Sequence, residues 1–212
     1  MFPLTTRSIL QTIRWLGHAG FMIKGKRVVY IDPFQLKFPD IGDVILITHD
    51  HHHHCSPDDV KWLRKGSTVI VCLPSCADQF EGDIRSVKPG DELSIKGLDI
   101  EVVPAYTPDG AFHPRESGGV GYLLTMEDGL RVYHAGDTGL IPEMQDIRAD
   151  VALLPVGGKY TMDAAEAAQA ANLIRPFLAI PMHWGSLVGS KEDAERFREL
   201  CEVKVRILKP EP

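Results

Sequence analysis

The stretch T-H-D-H-H-H-H-C-S, residues 48–56, follows the apolar run at residues 44–47 and is the strongest indication of a fold built around a metal site. Histidines stand at positions 49, 51, 52, 53 and 54. Packing does not require this density, whereas a neutral imidazole is the commonest transition-metal ligand. A purification tag or a low-complexity histidine tract is the alternative, but tags lie at chain ends. We therefore expect a metal site whose ligands begin at His49.

Composition restricts the class of protein. The chain has 212 residues, 44% of them hydrophobic, which suits one well-buried core, so we expect a single domain over residues 1–212. A net charge of -6 offers no general attraction to nucleic acid or anionic lipid. The four cysteines contain no C-x-x-C pair, and no apolar stretch is long enough to span a membrane. We therefore predict a cytoplasmic protein with no membrane span and no nucleic-acid partner.

The hydrophobic pattern predicts strands that first meander and then alternate with helices. Strands are expected at residues 9–15, 21–23, 28–31, 44–48, 68–73, 84–87, 92–96, 98–103, 120–126, 130–134, 150–155, 177–182 and 203–207. Helices are expected after Ser56, which can cap the first of them, and at residues 163–175 and 190–201. Two sheets covered by helices on their outer faces accommodate this order.

Further potential ligands lie at strand ends and in loops. His113 lies in the segment 104–119, the longest without periodicity, Asp137 lies in the turn A-G-D-T-G, and His183 ends an apolar strand. Within the histidine stretch, alternate residues of an extended segment point the same way, so His49 and His51 can chelate one ion. A carboxylate such as Asp137 can bridge two ions about 3.5 to 4 Å apart, which lower the pKa of a shared water toward about 7. This pattern predicts hydrolytic metal chemistry.

The combination resembles the metallo-β-lactamase superfamily, whose signature is H-x-H-x-D-H after an apolar strand, a separate histidine, an aspartate in a G-D-T turn and a final histidine. The match falls on His49, His51, His54, His113, Asp137 and His183. Asp32, at a strand end, matches the first motif of the superfamily. The resemblance implies an α+β fold, a four-layer αββα sandwich of the metallo-β-lactamase type, with the site at one edge between the sheets.

Shorter motifs suggest a branch of that superfamily. W-L-G-H-A-G, Y-H-A-G-D-T and P-M-H-W-G look like the metal-dependent hydrolase branch related to L-ascorbate-6-phosphate lactonase. Pieces of the same set also occur in the phospholipase D that hydrolyses N-acylphosphatidylethanolamine. The resemblance therefore favours a small-molecule substrate, but it does not choose between a lactone, another ester and a phosphodiester.

One position departs from the signature, because His53 stands where the superfamily has its aspartate. In the superfamily that aspartate ligates the second ion and acts on the attacking water. With an imidazole in place of the carboxylate, the site has one negative charge fewer. We therefore expect the second ion to bind less tightly or the metal preference to shift toward ions that favour nitrogen ligands. His53 is counted among the candidate ligands together with the matched residues, and Asp137 and His53 are the catalytic candidates.

The function that these residues predict is hydrolysis of an ester, lactone or phosphodiester of a small molecule by a metal-bound hydroxide. One or two divalent transition ions are expected, with Zn²⁺ the first choice and Mn²⁺, Ni²⁺ or Fe as alternatives. A phosphodiesterase or phospholipase-D-like activity is one alternative, for which Arg115 and Lys159 are the candidate phosphate contacts. From a different class, the chain could be a metal-binding or sensing protein that is catalytically impaired because His53 replaces the aspartate.

Neighbouring residues keep two interpretations each. His18 and His134 are either structural histidines or supports for a metal ligand. Asp50 either orients a ligating imidazole or faces solvent. His52 is expected to point away from both ions, and Cys55 to pack beneath the loop.

Overall fold

The structure, a computed structural model, describes residues 11–37, 39–110 and 112–211. Its first sheet has six strands, which lie side by side in chain order. They are β1 (Ile13–Gly17), β2 (Gly20–Lys24), β3 (Val28–Ile31), β4 (Val44–Leu46), β5 (Val69–Cys72) and β6 (Asp83–Ser86). The first three are antiparallel, and β3 to β6 are parallel. The meander expected from the sequence therefore leads into a parallel half, whose strand ends all face one edge.

The second sheet also has six strands, in the order β12-β11-β10-β9-β8-β7. They are β7 (Glu92–Ile95), β8 (Leu98–Pro104), β9 (Val120–Thr125), β10 (Arg131–His134), β11 (Val151–Pro155) and β12 (Leu178–Met182). Strands β10, β11 and β12 are parallel, and the remaining pairs are antiparallel. Strands β9 and β10, which form an antiparallel hairpin, lie where the sequence predicts the strands at residues 120–126 and 130–134.

Helices cover the outer faces of the sheets. The described α-helices are α1 (Pro57–Leu63), α2 (Pro74–Ala77), α3 (Ala164–Ile174) and α4 (Lys191–Leu200), with 3-10 turns at Arg115–Ser117 and Pro142–Asp146. Ser56 caps α1 as predicted, since its side chain accepts a hydrogen bond from the backbone N–H of Asp59. Strands β4, β5, β11 and β12 are buried along their whole length, as strands covered on both faces must be. The α+β fold and the αββα sandwich are confirmed.

Two expected strands differ from the structure. The closing strand at residues 203–207 is wrong, because only Val205 forms a bridge, to Ala179 of β12, while alternate residues of the segment are exposed. The Ala179 N–H donates to the carbonyl of Lys204, and the Arg206 N–H donates to the carbonyl of Ala179, and this single bridge is too short to make a strand. The first strand begins at Ile13 rather than residue 9, and Ile9 and Leu10 lie outside the described residues. In the described ranges, no helix combines the length and apolarity that a membrane crossing requires.

Hydrogen bonds between the two sheets fix the edge at which the predicted ligands lie. The Tyr122 hydroxyl on β9 donates to the carbonyl of Ile47, at 2.7 Å, and the Val120 N–H donates to the carbonyl of Thr48. The N–H of His183, after β12, donates to the carbonyl of His18, between β1 and β2. These long-range bonds bring together loops that are far apart in the sequence.

Candidate functional site

The carboxylate of Asp137 lies at the centre of a cluster of histidines. Its Oδ2 atom is 3.1 Å from Nε2 of His183, 3.4 Å from Nε2 of His54, 3.6 Å from Nε2 of His113 and 3.9 Å from Nε2 of His49. The Gly136 backbone has a φ of +66°, and a Cβ there would lie 2.5 Å from the carbonyl oxygen of Val120. The turn after β10 therefore requires glycine in order to place Asp137 between the sheets.

On one side of Asp137 lies a group that we name the first cluster, made of His49, His51 and His113. One ligand atom from each of these residues lies within 4.8 Å of the others. Nε2 of His49 is 3.0 Å from Nδ1 of His51, and Nδ1 of His113 is 3.0 Å from the carbonyl oxygen of Tyr160. The prediction that His49 and His51 converge from alternate positions agrees with this geometry.

On the other side lies the second cluster, made of His18, His53, His54 and His183, whose ligand atoms also lie within 4.8 Å of one another. The sequence predicts three of these four residues as ligands and treats His18 only as a structural or supporting residue. His54 also belongs to a group with His49 and Asp137, which joins the two clusters. The structure therefore brings all seven predicted ligands to one place and adds an eighth residue.

A buried carboxylate orients His54. Oδ2 of Asp32 lies 2.7 Å from Nδ1 of His54, and Asp32 accepts hydrogen bonds from both the N–H and the hydroxyl of Thr48. Asp32 is therefore held by the strand end that carries the histidine stretch, and it points Nε2 of His54 toward Asp137. Carboxylates that hold the second nitrogen of an imidazole fix its tautomer and raise its strength as a ligand.

Burial and local charge set the protonation of these side chains. Burial and the neighbouring histidines, chiefly His183, lower the pKa of His18 to about 2, and burial together with His54 lowers the pKa of His53 to about 4. Burial also lowers the pKa of His54, but Asp137 and Asp32 outweigh it and raise that pKa to about 10. For Asp137, burial raises the pKa, but His183 and His54 hold it well below its ordinary value. The ionised carboxylate of Asp137 and the neutral imidazoles of His18 and His53 suit a metal ion, which on binding would displace the proton that His54 carries at neutral pH.

The residues fit one or two divalent ions. Buried nitrogens with no hydrogen-bond partner among the described residues include Nδ1 and Nε2 of His18, Nε2 of His54, Nε2 of His113 and Nδ1 of His183. A buried polar atom without a partner costs about 1 to 3 kcal/mol, so a convergent group of them needs a reason. Imidazole nitrogen suits zinc, nickel, copper and iron.

Comparison with known proteins decides the family. A family model described as the beta-lactamase superfamily domain matches residues 12–183. The chain belongs to the metallo-β-lactamase superfamily. A UPF0173 metal-dependent hydrolase of Methanopyrus kandleri is 37% identical to this superfamily member, over 93% of this chain and 96% of that protein. One of Archaeoglobus fulgidus is 34% identical over the same shares.

Solved structures of similar proteins have the same superfamily fold. A crystal structure described as a metal-dependent hydrolase of Parabacteroides distasonis has a TM-score of 0.81 and 34% identity, and covers 93% of each chain. A metallo hydrolase of Ignicoccus hospitalis has a TM-score of 0.78 and 26% identity, over 94% of this chain and 95% of that one. The narrower resemblance to L-ascorbate-6-phosphate lactonase stays a prediction.

Four further residues near the superfamily motif lie outside the two clusters. His52 is exposed, with its ring 5.6 Å from that of Phe34, and Asp50 is exposed. His134 is buried and fully bonded, since Nε2 lies 2.8 Å from the carbonyl oxygen of Ala19 and Nδ1 accepts the N–H of Gly136. Cys55 is buried beneath the loop, as expected.

The sequence signals for His18 were weak. Its ring lies 4.0 Å from that of His183, but in the sequence it is a single histidine well before the histidine stretch. The one available signal is its place in W-L-G-H-A-G, where a residue between two glycines suggests a tight turn. A turn does not reveal which distant side chains face it.

Proposed function

We propose that this protein is a metal-dependent hydrolase of a small molecule, and that it cleaves an ester or a lactone. The observation that carries the proposal is the position of Asp137 Oδ2, which lies between 3.1 and 3.9 Å from Nε2 of four histidines belonging to both clusters. The relatives described as metal-dependent hydrolases support it, because their sequences match nearly the whole chain.

Different residues of the site would hold the ions and orient the ligands. One or two divalent ions, when bound, would polarise the scissile group and lower the pKa of a water molecule toward about 7. The first cluster and the second cluster would hold these ions, with Asp137 shared between them. Asp32 holds His54 and the Tyr160 carbonyl holds His113, so both imidazoles are oriented before any ion binds.

Of the two catalytic candidates, we assign Asp137 the central role. It contacts both clusters and is almost completely buried, which strengthens its interactions with charged groups. His53 is half-buried, and its pKa of about 4 makes it a weak proton acceptor at neutral pH. We therefore propose that His53 positions the second ion rather than accepting a proton from substrate water.

A small cleft opens beside the first cluster. Its volume is about 80 Å³, and its wall contains Leu73, Phe112 and Ser117 next to the histidines. Phe112 is 48% exposed, so a large apolar ring stands at the mouth of a polar site. Such a combination of an apolar wall with a few polar groups is typical of small-molecule sites.

The two candidate phosphate contacts, Arg115 and Lys159, interact with other side chains of the protein. Arg115 lies 2.9 Å from a carboxylate oxygen of Glu143 and 4.9 Å from the centre of the Tyr106 ring. Lys159 lies 4.9 Å from the centre of the Tyr160 ring. Because Glu143 neutralises Arg115, we favour an uncharged ester or lactone, with a phosphodiester as the second candidate.

The test compares three substrates with protein that has been stripped of metal and reloaded with Zn²⁺ or Mn²⁺: a simple lactone, p-nitrophenyl acetate and bis-p-nitrophenyl phosphate. We expect turnover of the lactone or the acetate that Asp137→Asn abolishes and His52→Asn leaves unchanged. Turnover of the phosphodiester alone would overturn the ester assignment. Tight metal binding without turnover of any of them would instead favour the sensing protein.

The cellular setting stays a prediction. The four cysteines are free in the structure, and Cys55, Cys72 and Cys76 are buried. Unpaired thiols are usual in a reducing compartment, so we propose the cytoplasm.

A further inference from the structure

His18 has a backbone conformation that histidine rarely adopts. Its φ is +48°, in the left-handed region, where a non-glycine residue costs of the order of 1 to 3 kcal/mol. Its carbonyl accepts two hydrogen bonds, from Nε1 of Trp15 at 2.9 Å and from the N–H of His183 at 2.8 Å. These bonds hold the turn between β1 and β2 in place and direct the imidazole toward the loops of the other sheet.

The side chain of His18 has no hydrogen-bond partner among the described residues, although it is 4% exposed. Both ring nitrogens are buried without a partner. His134 provides the contrast, since it is buried on the same side of the molecule and bonds through both nitrogens. A histidine that served only to pack would be expected to satisfy its nitrogens in the way that His134 does.

Three other imidazoles surround His18. Its ring centre is 4.0 Å from that of His183, 4.7 Å from that of His53 and 5.3 Å from that of His54. One nitrogen from each of the four rings lies within 4.8 Å of the others, and Asp137 Oδ2 lies beside two of them. This is a larger set of nitrogen donors than the superfamily signature supplies.

We propose that His18 is a direct ligand of the second ion, so that four imidazoles, those of His18, His53, His54 and His183, stand beside the shared Asp137 and make up for the missing carboxylate of the motif. This inference rests on the metal centre of the proposed function. It revises the expectation of a weak second position, because His18 adds a donor where His53 removes a charge. Neutral nitrogen donors favour Co²⁺, Ni²⁺, Cu²⁺ or Zn²⁺ over Mn²⁺ at this position.

The test measures metal binding rather than turnover. Metal-free protein is titrated with Co²⁺ and Zn²⁺ by calorimetry, and the Co²⁺ absorption spectrum is recorded at each equivalent. In His18→Asn, asparagine tolerates the positive φ but is a poor ligand for these ions. We expect the parent to bind two equivalents of metal ion. The variant should bind the first equivalent as the parent does, while the Kd of the second equivalent rises by about 10-fold to 100-fold.

A matched control and a rescue separate ligation from packing. His52→Asn, in the same histidine stretch but exposed, should bind both equivalents as the parent does. In His18→Gly, glycine suits the turn and removes the ring, so added free imidazole should restore the second equivalent and its Co²⁺ spectrum. A purely structural role predicts no rescue. The melting temperatures of the metal-free variants show whether either one is misfolded.

The outcomes distinguish the two proposals. If both His18 variants bind two equivalents with parental affinity, the ligand assignment is wrong and the hydrolase stands. If the parent binds a single ion that neither variant affects, the second site is wrong and the first cluster alone supports the hydrolase. A parent that binds no ion would overturn both.

Discussion

Asp32 and His54 form a buried pair in which a carboxylate oxygen lies 2.7 Å from Nδ1 of the imidazole, and neither side chain is exposed. Asp32 also has a positive φ, of +45°, so the chain accepts backbone strain to place this carboxylate. The pair links the strand end of β3 to the histidine stretch, and it fixes which nitrogen of His54 faces Asp137. The orientation of one ligand is therefore set from a different strand.

Replacing Asp32 should weaken metal binding without removing a ligand. In Asp32→Asn, the amide cannot hold the His54 ring as a carboxylate does, so we expect the Kd of the ion at the second cluster to rise by about 10-fold to 100-fold. Calorimetric titration of the metal-free variant with Zn²⁺ measures this. Asp50→Asn, an exposed acid in the same loop, is the control, and equal affinities for the two variants would show that the pair does not act on the metal.

Restoring the motif aspartate should change ion preference. His53→Asp adds a carboxylate to the second cluster, and oxygen ligands suit Mn²⁺ better than imidazole does. We expect the ratio of bound Mn²⁺ to Zn²⁺ to rise by about tenfold when the metal-free variant is exposed to equal concentrations of both ions, measured by elemental analysis. His52→Asp introduces the same charge one residue away and should leave the ratio unchanged.

The same variant distinguishes a hydrolase from a sensor. If the parent is catalytically impaired, lactone turnover should be absent in the parent and appear in His53→Asp. The proposed function expects turnover in both proteins, with a metal preference that differs between them. Kinetic assays with each metal-loaded protein decide between these outcomes.

The stability of the metal-free protein should fall in acid. His18 and His53 have folded-state pKa values lowered to about 2 and 4, so below pH 6.5 the unfolded chain binds protons that the folded chain does not. Each such histidine costs about 1.4 kcal/mol per pH unit below 6.5, so His18 alone removes about 2 to 3 kcal/mol between pH 6.5 and 4.5. Urea denaturation at several pH values measures this loss.

Protonation of His54 stabilises the folded state, and this stabilisation is lost at high pH. Its folded-state pKa is raised to about 10, so its contribution is fully present below pH 6.5 and is lost as the pH rises through about 10. We expect the metal-free protein to be most stable near neutral pH.

The acid prediction has its own control. The free energy of unfolding of His18→Asn should fall less steeply than that of the parent between pH 6.5 and 4.5, and an equal slope would contradict the assignment to His18.

The glycine before Asp137 should be irreplaceable. In Gly136→Ala, the new Cβ would lie 2.5 Å from the Val120 carbonyl oxygen at a φ of +66°, so both a clash and backbone strain arise. We expect a loss of about 2 to 4 kcal/mol in the free energy of unfolding. Gly90→Ala is the matched control, since its φ is +92° but no heavy atom lies within 4 Å of the new Cβ. That variant carries the strain alone and should lose about 1 to 2 kcal/mol.

Much of the fold follows from local pattern. Buried strands such as β4 and β11 are continuous apolar runs, and Ser56 and Asp163 have the side chains that cap helices. The segment 203–207 has the β-branched residues of a strand but pairs only at Val205. Strand propensity measures fit to a pleated surface, and it does not say how many residues a segment will pair with the strand beside it.

The sequence by itself determined which side chains are candidate metal ligands, because histidines at positions 49, 51 and 54 with Asp137 and His183 form a recognisable spacing. Only the tertiary structure decided that the ring of His18 lies among them. Its approach to His183 depends on a positive φ and on a hydrogen bond between two backbone groups that are far apart in the sequence, and the glycine-flanked turn at His18 does not reveal that partner. The sequence shows which side chains have atoms that can bind a metal ion. The packing of the two sheets decides which of those side chains lie close together.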